Sequence, residues 1–316
     1  MTKKIIALLL FASVLIGILS GCGMKNDKIT VLCTVFPIYD WVRSVVGDSD
    51  KLEVKLLVSD GADLHSFQPT ARDAIDIKTA DLVVRVGGAD DSFVNELTKD
   101  SNGVDLRLID AEGVTKRHVS VSSEHEHSHG EGNDHKHPTD EHIWLSLKNG
   151  QACVEAIYGA LAAIDPQGAE AYRQNADAYI EELISLDMKY AATASAVSEP
   201  RLVFADRFPF VYMTEDYGIE YEAAFEGCTT DAEASFDTVI RLASKVEQWG
   251  LSYVCVTESS DKRLASSVAD AVEGKAVHTA VLDSMQSVTK KDIAAGQSYI
   301  GIMEKNLSAL TEALSK

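Results

Sequence analysis

Five of the nine histidines in this chain fall within one short polar segment, residues 123–137 (SEHEHSHGEGNDHKH). They are His125, His127, His129, His135 and His137, and no apolar residue lies between them. A segment of this composition cannot bury itself, so we expect an exposed loop. Neutral imidazole is a common ligand of zinc and similar metals, so the pattern favours an adaptable, metal-collecting loop. The alternative is a solvated polar insertion without a role.

Residues 1–21 have the features of a targeting segment. Lys3 and Lys4 precede an apolar run, residues 5–19, that is too short and too close to the terminus to indicate a multi-helix membrane protein. The run ends in Leu-Ser-Gly-Cys22, which resembles the bacterial lipobox. We therefore expect an exported protein whose Cys22 is lipidated and holds it at the outer face of the cytoplasmic membrane. A plain secretory signal or an N-terminal anchor helix is the alternative.

The formal charge of the chain is −20, and loss of residues 1–21 would remove two lysines and no acid, which takes it to −22. Such an acidic chain is a poor partner for nucleic acid, because phosphate binding needs clustered Lys and Arg. The cysteines after Cys22 are Cys33, Cys153, Cys228 and Cys255, without a CxxC pair. Their scatter does not indicate a disulfide framework, and we expect Cys33 and Cys255 to be buried in strands.

Strand-like and helix-like runs alternate along the chain, which predicts an α/β fold with two mainly parallel sheets flanked by helices. The predicted strands are 29–35, 52–58, 81–86, 106–109, 201–205, Tyr253–Thr257 and 276–282. The predicted helices include one from Pro37 to a stop at Gly47, one after a capping box at Thr70, Phe236–Trp249, 262–272 and 293–314.

One long helical run, residues 167–197, separates the two α/β series. About 30 helical residues span roughly 45 Å, which is longer than one small domain needs, so we interpret it as a backbone helix joining two lobes. The predicted organisation is a signal peptide (1–21), an N-terminal lobe (22–165) that includes the His-rich loop (118–138), the linking helix (166–197) and a C-terminal lobe (198–316). Ligands of open α/β sheets bind beyond the carboxyl ends of the strands, so the cleft between the lobes is the expected site.

Four histidines lie outside the His-rich segment 123–137. His65 follows the predicted strand 52–58, and His142 follows the His-rich segment, so both are candidate ligands at the cleft. His118 lies in a polar stretch and is predicted to be at the surface, whereas His278 lies in a strand run and is predicted to be a core or edge residue.

Three spaced motifs give the chain a family resemblance. They are residues 34–40 (TVFPIYD), residues 64–70 (LHSFQPT) and residues 140–146 (DEHIWLS), the last of which follows the His-rich segment. In these motifs the sequence resembles the metal-binding lipoproteins of bacterial zinc and manganese ABC importers. The resemblance covers essentially the whole mature chain and implies that His65 and His142 are metal ligands from the N-terminal lobe.

The C-terminal lobe departs from the pattern of that family. A His or Glu ligand is implied at the position of Ala205, which cannot bind metal. Asp206, the next residue, is a candidate substitute, or else a helix N-cap. The resemblance carries over Asp283 as the last ligand, and it matches Glu258 to a recurrent acid that is either a ligand or a partner of Arg207.

Two imidazoles and one or two carboxylates form a borderline site that favours Zn(II), with Mn(II) as the alternative. We expect a monomeric carrier, not an enzyme, that delivers its metal to an ABC permease and its ATPase, and we hypothesise that the metal pins the two lobes together. A zinc hydrolase is the weaker interpretation, since no HExxH or GxSxG motif is present. A surface adhesin is the other alternative.

Overall fold

The computed structural model describes residues 28–58, 61, 64–118, 139–225 and 234–315. Cys22, Cys228 and the five histidines of the His-rich segment therefore lie outside the described residues. Within the described ranges, no helix is both long enough and apolar enough to cross a membrane.

The first half of the chain forms a four-stranded parallel sheet with the order β2-β1-β3-β4. Its strands are β1 (Ile29–Cys33), β2 (Leu52–Leu56), β3 (Leu82–Arg85) and β4 (Val104–Arg107). The central strand β3 is buried along its whole length, as its sequence Leu-Val-Val-Arg predicts apart from the arginine. The predicted strands are confirmed to within a few residues.

The second half repeats this arrangement with the order β6-β5-β7-β8, again all parallel. Its strands are β5 (Arg201–Phe204), β6 (Glu220–Ala223), β7 (Tyr253–Thr257) and β8 (His278–Leu282). His278 is the exposed first residue of the edge strand β8, which confirms the edge alternative. The predicted fold class, two parallel α/β lobes, is confirmed.

Ten α-helices are assigned in the described residues. They are α1 (Phe36–Val46), α2 (Ala71–Thr79), α3 (Phe93–Thr98), α4 (Leu147–Ile164), α5 (Ala169–Ser195), α6 (Val211–Asp216), α7 (Phe236–Trp249), α8 (Arg263–Ala271), α9 (Lys290–Ala294) and α10 (Tyr299–Leu314). The single helix expected over 293–314 is wrong, because Gly296 adopts a positive φ of 89° and separates α9 from α10.

The long helix α5 contacts elements of both halves, α1 and α4 from the first and α10 from the second. One buried apolar cluster runs across these contacts and includes Trp41, Tyr190 and Tyr299. The Tyr190 hydroxyl donates to the Met303 carbonyl at 2.6 Å, which ties α5 to α10. This cluster therefore spans both lobes, as expected of a helix that joins them, and a second, smaller cluster lies within the second half around β7, α7 and α8.

Hydrogen bonds also cross directly between the lobes. The Tyr212 hydroxyl donates to the Asp140 carbonyl at 2.7 Å, and the Trp144 indole donates to the Ser284 carbonyl at 2.9 Å. The Tyr299 hydroxyl donates to the Trp144 carbonyl at 2.6 Å. These bonds converge on residues 140–146 and fix that segment against the C-terminal lobe.

Candidate metal centre

His65 lies in a single 3₁₀ turn, Leu64–Ser66, in the connection between β2 and α2. Its side chain is only 15% exposed, and its Nδ1 atom lies 2.7 Å from Oδ2 of Asp90 in the loop that follows β3. The carboxylate thereby fixes the ring, and the opposite ring nitrogen, Nε2, faces away from Asp90.

His142 immediately precedes a second 3₁₀ turn, Ile143–Leu145, and its side chain is 3% exposed. Its Nδ1 lies 2.9 Å from Oδ1 of Asp140, which also accepts the backbone N–H of His142 at 2.8 Å. The ring packs at 5.3 Å, edge to face, against Trp144. Asp140 thus does for His142 what Asp90 does for His65.

The two imidazoles face each other, with their Nε2 atoms 3.3 Å apart. The carboxylates of Asp90 and Asp140, which lie beside the two Nδ1 atoms, favour the neutral tautomers that have the proton on Nδ1 and a lone pair on Nε2. Two lone pairs at this distance repel unless a cation lies between them. In a tetrahedral site with Zn–N bonds of ~2.0–2.1 Å, two nitrogen ligands are about 3.3–3.4 Å apart. The pair is therefore already spaced for one zinc ion.

Glu141, between the two site residues Asp140 and His142, points into the loop after β3. Its carboxylate accepts the backbone N–H groups of Ala89 and Asp90. A Cβ at Gly88 would lie 2.0 Å from Cδ of Glu141, so only glycine leaves room for the carboxylate. Burial, and then the negative charge of Asp90, raise the pKa of Glu141 to about 7. Glu141 thus fastens the His142 segment to the loop that carries Asp90.

The pKa of Asp90 is shifted in the opposite direction to that of Glu141. Burial by itself raises the pKa of Asp90, but the contact with His65 and the positive charge that His65 and His142 carry when protonated outweigh it, and the pKa is lowered. A carboxylate that stays ionised beside His65 strengthens the basicity of the opposite nitrogen, as in carboxylate–histidine–zinc triads.

A chain of ion pairs, Asp105–Arg85–Asp91, stabilises the loop that follows β3. Arg85, 1% exposed at the end of β3, donates to Oδ1 of Asp91 at 3.1 Å. It also forms a fork with Asp105, at 2.7 Å from Nε and 2.8 Å from Nη2. Asp91 in turn accepts the Gly87 N–H, at 3.1 and 3.0 Å from its two oxygens. Arg85 therefore holds the conformation that places Asp90 under His65.

Asp283 follows β8, and its Oδ1 accepts the N–H of Met285 at 2.7 Å. Its backbone N–H and C=O pair with the side chain of Asn306 on α10 at 2.7 and 2.8 Å. Burial, and then the charge of Glu258, raise the pKa of Asp283 to about 6. Its neighbour Ser284 accepts the Trp144 indole, so Asp283 lies on the segment that meets the His142 segment.

The other two acidic candidates are engaged by neighbouring loops. Oδ2 of Asp206 accepts both the N–H and the hydroxyl of Thr257, at 3.0 and 2.6 Å, which joins the ends of β5 and β7. It is not a helix N-cap, since α6 begins only at Val211. Glu258 accepts the N–H and hydroxyl of Ser284 and the hydroxyl of Ser287, at 2.8–3.0 Å.

The structure therefore brings His65 and His142 together. The described residues contain no group of three His, Cys, Asp or Glu side chains placed to hold a metal. Asp283, Asp206 and Glu258 therefore do not form a three-ligand site with the two histidines. Ala205, where the family resemblance implied a ligand, is buried. His118 is exposed and pairs with Thr139 in an antiparallel bridge, which agrees with its predicted surface position.

Sequence reasoning missed the groups that orient the histidines. Asp140 and Glu141 lie in the motif that pointed to His142, and Asp90 lies in the loop after β3, two residues beyond the Gly87-Gly88 pair. The position of Asp90 beyond the carboxyl end of a central parallel strand is the signal that could have identified it.

A family model described as "Zinc-uptake complex component A periplasmic" matches residues 31–313 of the chain. The chain belongs to this family, ZnuA. It is 32% identical to the zinc-binding lipoprotein AdcA of Streptococcus pneumoniae strain R6 over 307 residues, 96% of this chain and 60% of that protein. It is 29% identical to the high-affinity zinc uptake system protein ZnuA of Bacillus subtilis, over 92% of this chain and 89% of that protein.

Solved structures agree with this family assignment. The zinc-bound ZnuA-like domain of Streptococcus pneumoniae AdcA has 27% sequence identity and a TM-score of 0.71, and the match covers 92% of this chain and all of that domain. The chain spans only about 56–60% of the length of the AdcA relatives it matches. The ZnuA fold is thus shared over nearly the whole chain, although the AdcA proteins are longer.

Proposed function

We propose that this protein is an extracytoplasmic solute-binding protein that captures a divalent transition metal, with zinc favoured, in the interlobe cleft and delivers it to an ABC permease. The observation that carries the proposal is the pair of imidazoles whose Nε2 atoms lie 3.3 Å apart, each with a carboxylate on its Nδ1. Membership of the ZnuA family and the zinc-binding names of the relatives support it.

Zinc suits this arrangement better than manganese. Imidazole nitrogen binds zinc well, whereas manganese prefers carboxylate, carbonyl and water oxygens, and for a given site the affinity for Mn²⁺ is the lowest of the series. Both carboxylates nearest the histidines, Asp90 and Asp140, are turned to Nδ1 and leave nitrogen as the donor to the metal. We propose Asp283 as the third ligand, with Asp206 and Glu258 as the alternatives.

The test is the zinc affinity of the metal-stripped protein, measured by competition with a chromophoric chelator. We expect one tight site, and we expect His65→Ala and His142→Ala each to weaken it more than about 100-fold, because even the loss of an outer partner costs about 10–100-fold. His278→Ala, at an exposed strand edge, is the matched control. Unchanged tight binding in both His65→Ala and Asp283→Ala would sink the assignment, and tighter binding of manganese than zinc would reverse the choice of metal.

The remaining parts of the proposal concern delivery. The lipobox at Cys22 would anchor the exported protein at the outer face of the cytoplasmic membrane, where a permease and its ATPase would accept the metal from a monomeric carrier. The N-terminal lobe would comprise residues 22–165 and the C-terminal lobe residues 198–316, with the segment 166–197 linking them. A carrier without enzymatic activity fits the transport role of the family, and neither a zinc hydrolase nor an adhesin has a specific observation in its favour.

A further inference from the structure

The segment that carries His142 belongs to the first half of the chain, but two tyrosines of the second half contact its backbone. Tyr212, in α6, donates its hydroxyl hydrogen to the Asp140 carbonyl at 2.7 Å. Tyr299, the first residue of α10, donates to the Trp144 carbonyl at 2.6 Å. The two carbonyls lie two residues before and two residues after His142. The opposite lobe therefore anchors the backbone on both sides of this histidine.

Both tyrosines are held firmly in the interior. Tyr212 and Tyr299 are each 0% exposed, and burial raises the pKa of both, so both hydroxyls keep the hydrogen that they donate. The Tyr299 ring packs edge to face on Trp41 at 5.1 Å, and its backbone N–H donates to the Asp40 carboxylate at 2.9 Å. The Tyr212 hydroxyl also accepts the backbone N–H of Arg117 at 3.2 Å. Donors fixed in this way restrain the carbonyls that they contact.

The two anchored residues are the ones that orient the imidazole of His142. The Asp140 carboxylate lies 2.9 Å from Nδ1, and the Trp144 ring packs edge to face on the imidazole at 5.3 Å. A backbone shift at either residue therefore moves or turns the ring together with its Nε2 atom. A binding site needs its groups held within about 0.5 Å of the working geometry. The 3.3 Å between the Nε2 atoms of His65 and His142 is thus sensitive to these two anchors.

The N-terminal lobe supplies a third anchor for the same segment. The Glu141 carboxylate accepts the backbone N–H groups of Ala89 and Asp90, and Asp90 in turn contacts His65. This anchor ties the two histidines together within one lobe, whereas the tyrosines tie His142 to the other lobe. The position of His142 is therefore set by both lobes.

We propose, on the basis of the proposed zinc function, that Tyr212 and Tyr299 are positioning residues of the metal site. Neither hydroxyl is a metal ligand, and each acts through a backbone carbonyl close to His142. Loss of either hydroxyl leaves a buried carbonyl without this donor, so the segment shifts from the geometry that suits the metal. The C-terminal lobe thereby raises zinc affinity through two hydrogen bonds that lie outside the coordination shell.

Tyr212→Phe and Tyr299→Phe test the proposal, because each removes one oxygen and keeps the ring. Zinc affinity of the purified full chain is measured by chelator competition. We expect each variant to bind zinc at least fivefold more weakly than wild type, since each hydroxyl acts one step further from the metal than the direct partners whose loss costs about 10–100-fold. The double variant should bind more weakly than either single variant.

Tyr190→Phe is the matched control. Tyr190 is also 0% exposed, and its hydroxyl donates to the Met303 carbonyl at 2.6 Å, so the variant loses a hydrogen bond of the same kind outside residues 140–146. It should lower the midpoint of urea denaturation about as much as Tyr299→Phe does, but leave zinc affinity within twofold of wild type. This difference separates a positioning role from a general loss of stability.

Circular dichroism identifies any variant that does not fold, and the tyrosine in the other helix then decides. A loss of zinc affinity smaller than fivefold in both variants, or an equal loss in Tyr190→Phe, would overturn the inference. The proposed function would stay intact if the wild-type protein binds zinc tightly and His142→Ala does not. A loss smaller than fivefold in one variant alone would remove that tyrosine from the assignment, and a wild-type protein that binds no zinc would overturn both proposals.

Discussion

Two carboxylates decide which way the imidazoles of the candidate site point. Asp90 and Asp140 each contact an Nδ1 atom, at 2.7 and 2.9 Å, so both Nε2 atoms are left for the metal. Without these partners each buried ring could rotate or take the other tautomer, and its metal-binding nitrogen would be lost. Metal affinity should therefore depend on residues that never touch the ion.

Asp140→Asn tests this dependence. The asparagine keeps the size of the side chain and an oxygen for the His142 N–H, but it removes the charge that favours the protonated Nδ1. We expect zinc affinity to fall about 10–100-fold while the fold is kept, measured by chelator competition and by circular dichroism. Asp237→Asn, in the exposed first turn of α7, is the control, and equal affinities in the two variants would contradict the role of Asp140.

The sequence predicted the two histidines but not the partners that orient them. His65 and His142 are marked by short motifs, whereas Asp90 reaches His65 across 25 positions of the chain and Glu141 reaches Ala89 across 52. Long-range contacts of this kind have no local sequence period, so pattern reasoning does not identify Asp90 as the partner of His65.

At the scale of elements, the loop between β3 and α3 is the part that positions the site. Arg85 and Asp91 are almost fully buried, and their partners include Asp105, Asn95, the Gly87 N–H and each other. Removing one member of a buried ion pair leaves an uncompensated charge in the interior.

Arg85→Met should therefore lower the free energy of unfolding by about 3–5 kcal/mol, measured by urea denaturation of the metal-free protein. Arg72→Met removes an exposed i,i+4 pair with Asp76 on α2 and should cost no more than about 1 kcal/mol. A loss for Arg85→Met as small as that for Arg72→Met would show that the buried chain does not hold the loop.

The flanks of the His-rich segment meet in the structure. His118 bridges Thr139, and the Asp140 N–H donates to the Arg117 carbonyl at 2.8 Å, so the chain enters and leaves the segment at adjacent points. We expect deletion of residues 123–137 to leave the tight zinc site within about threefold of wild type, since the remaining residues suffice for a hairpin connection. Zinc titration should show loss of the weak sites alone, and loss of the tight site instead would refute an accessory role.

Element prediction succeeded where local signals are strong and failed where they are weak. The capping box at Thr70 and Asp73 and the helix α7 are confirmed, because caps and a regular apolar face mark them locally. The strand β6 was missed, since it is a short edge strand with glutamates at two of its four positions. Such a strand is stabilised by pairing with β5, which the local sequence does not record.

At the scale of the whole molecule, the protein's own contacts join the two lobes. The buried cluster across α1, α5 and α10, with the Tyr212, Trp144 and Tyr299 hydrogen bonds, already connects them. The hypothesis that the metal pins the lobes stays a prediction, but these contacts indicate a local cross-link and not a wide hinge closure.

We therefore expect zinc at 100 times its dissociation constant to raise the free energy of unfolding by about 2.7 kcal/mol. The radius of gyration should change by less than about 1 Å, as in pre-organised binding proteins. Urea denaturation and small-angle X-ray scattering with and without zinc measure the two quantities. A contraction of several ångströms would show instead that the metal closes an open cleft.

The central claim is that one zinc ion lies between His65 and His142. A crystal structure of the zinc-loaded protein with anomalous data at the zinc edge tests it most directly. We predict one strong anomalous peak at about 2.0–2.1 Å from Nε2 of both histidines, with Asp90 and Asp140 still on the Nδ1 atoms. A zinc ion that lies elsewhere, with the two imidazoles unliganded, would contradict the account.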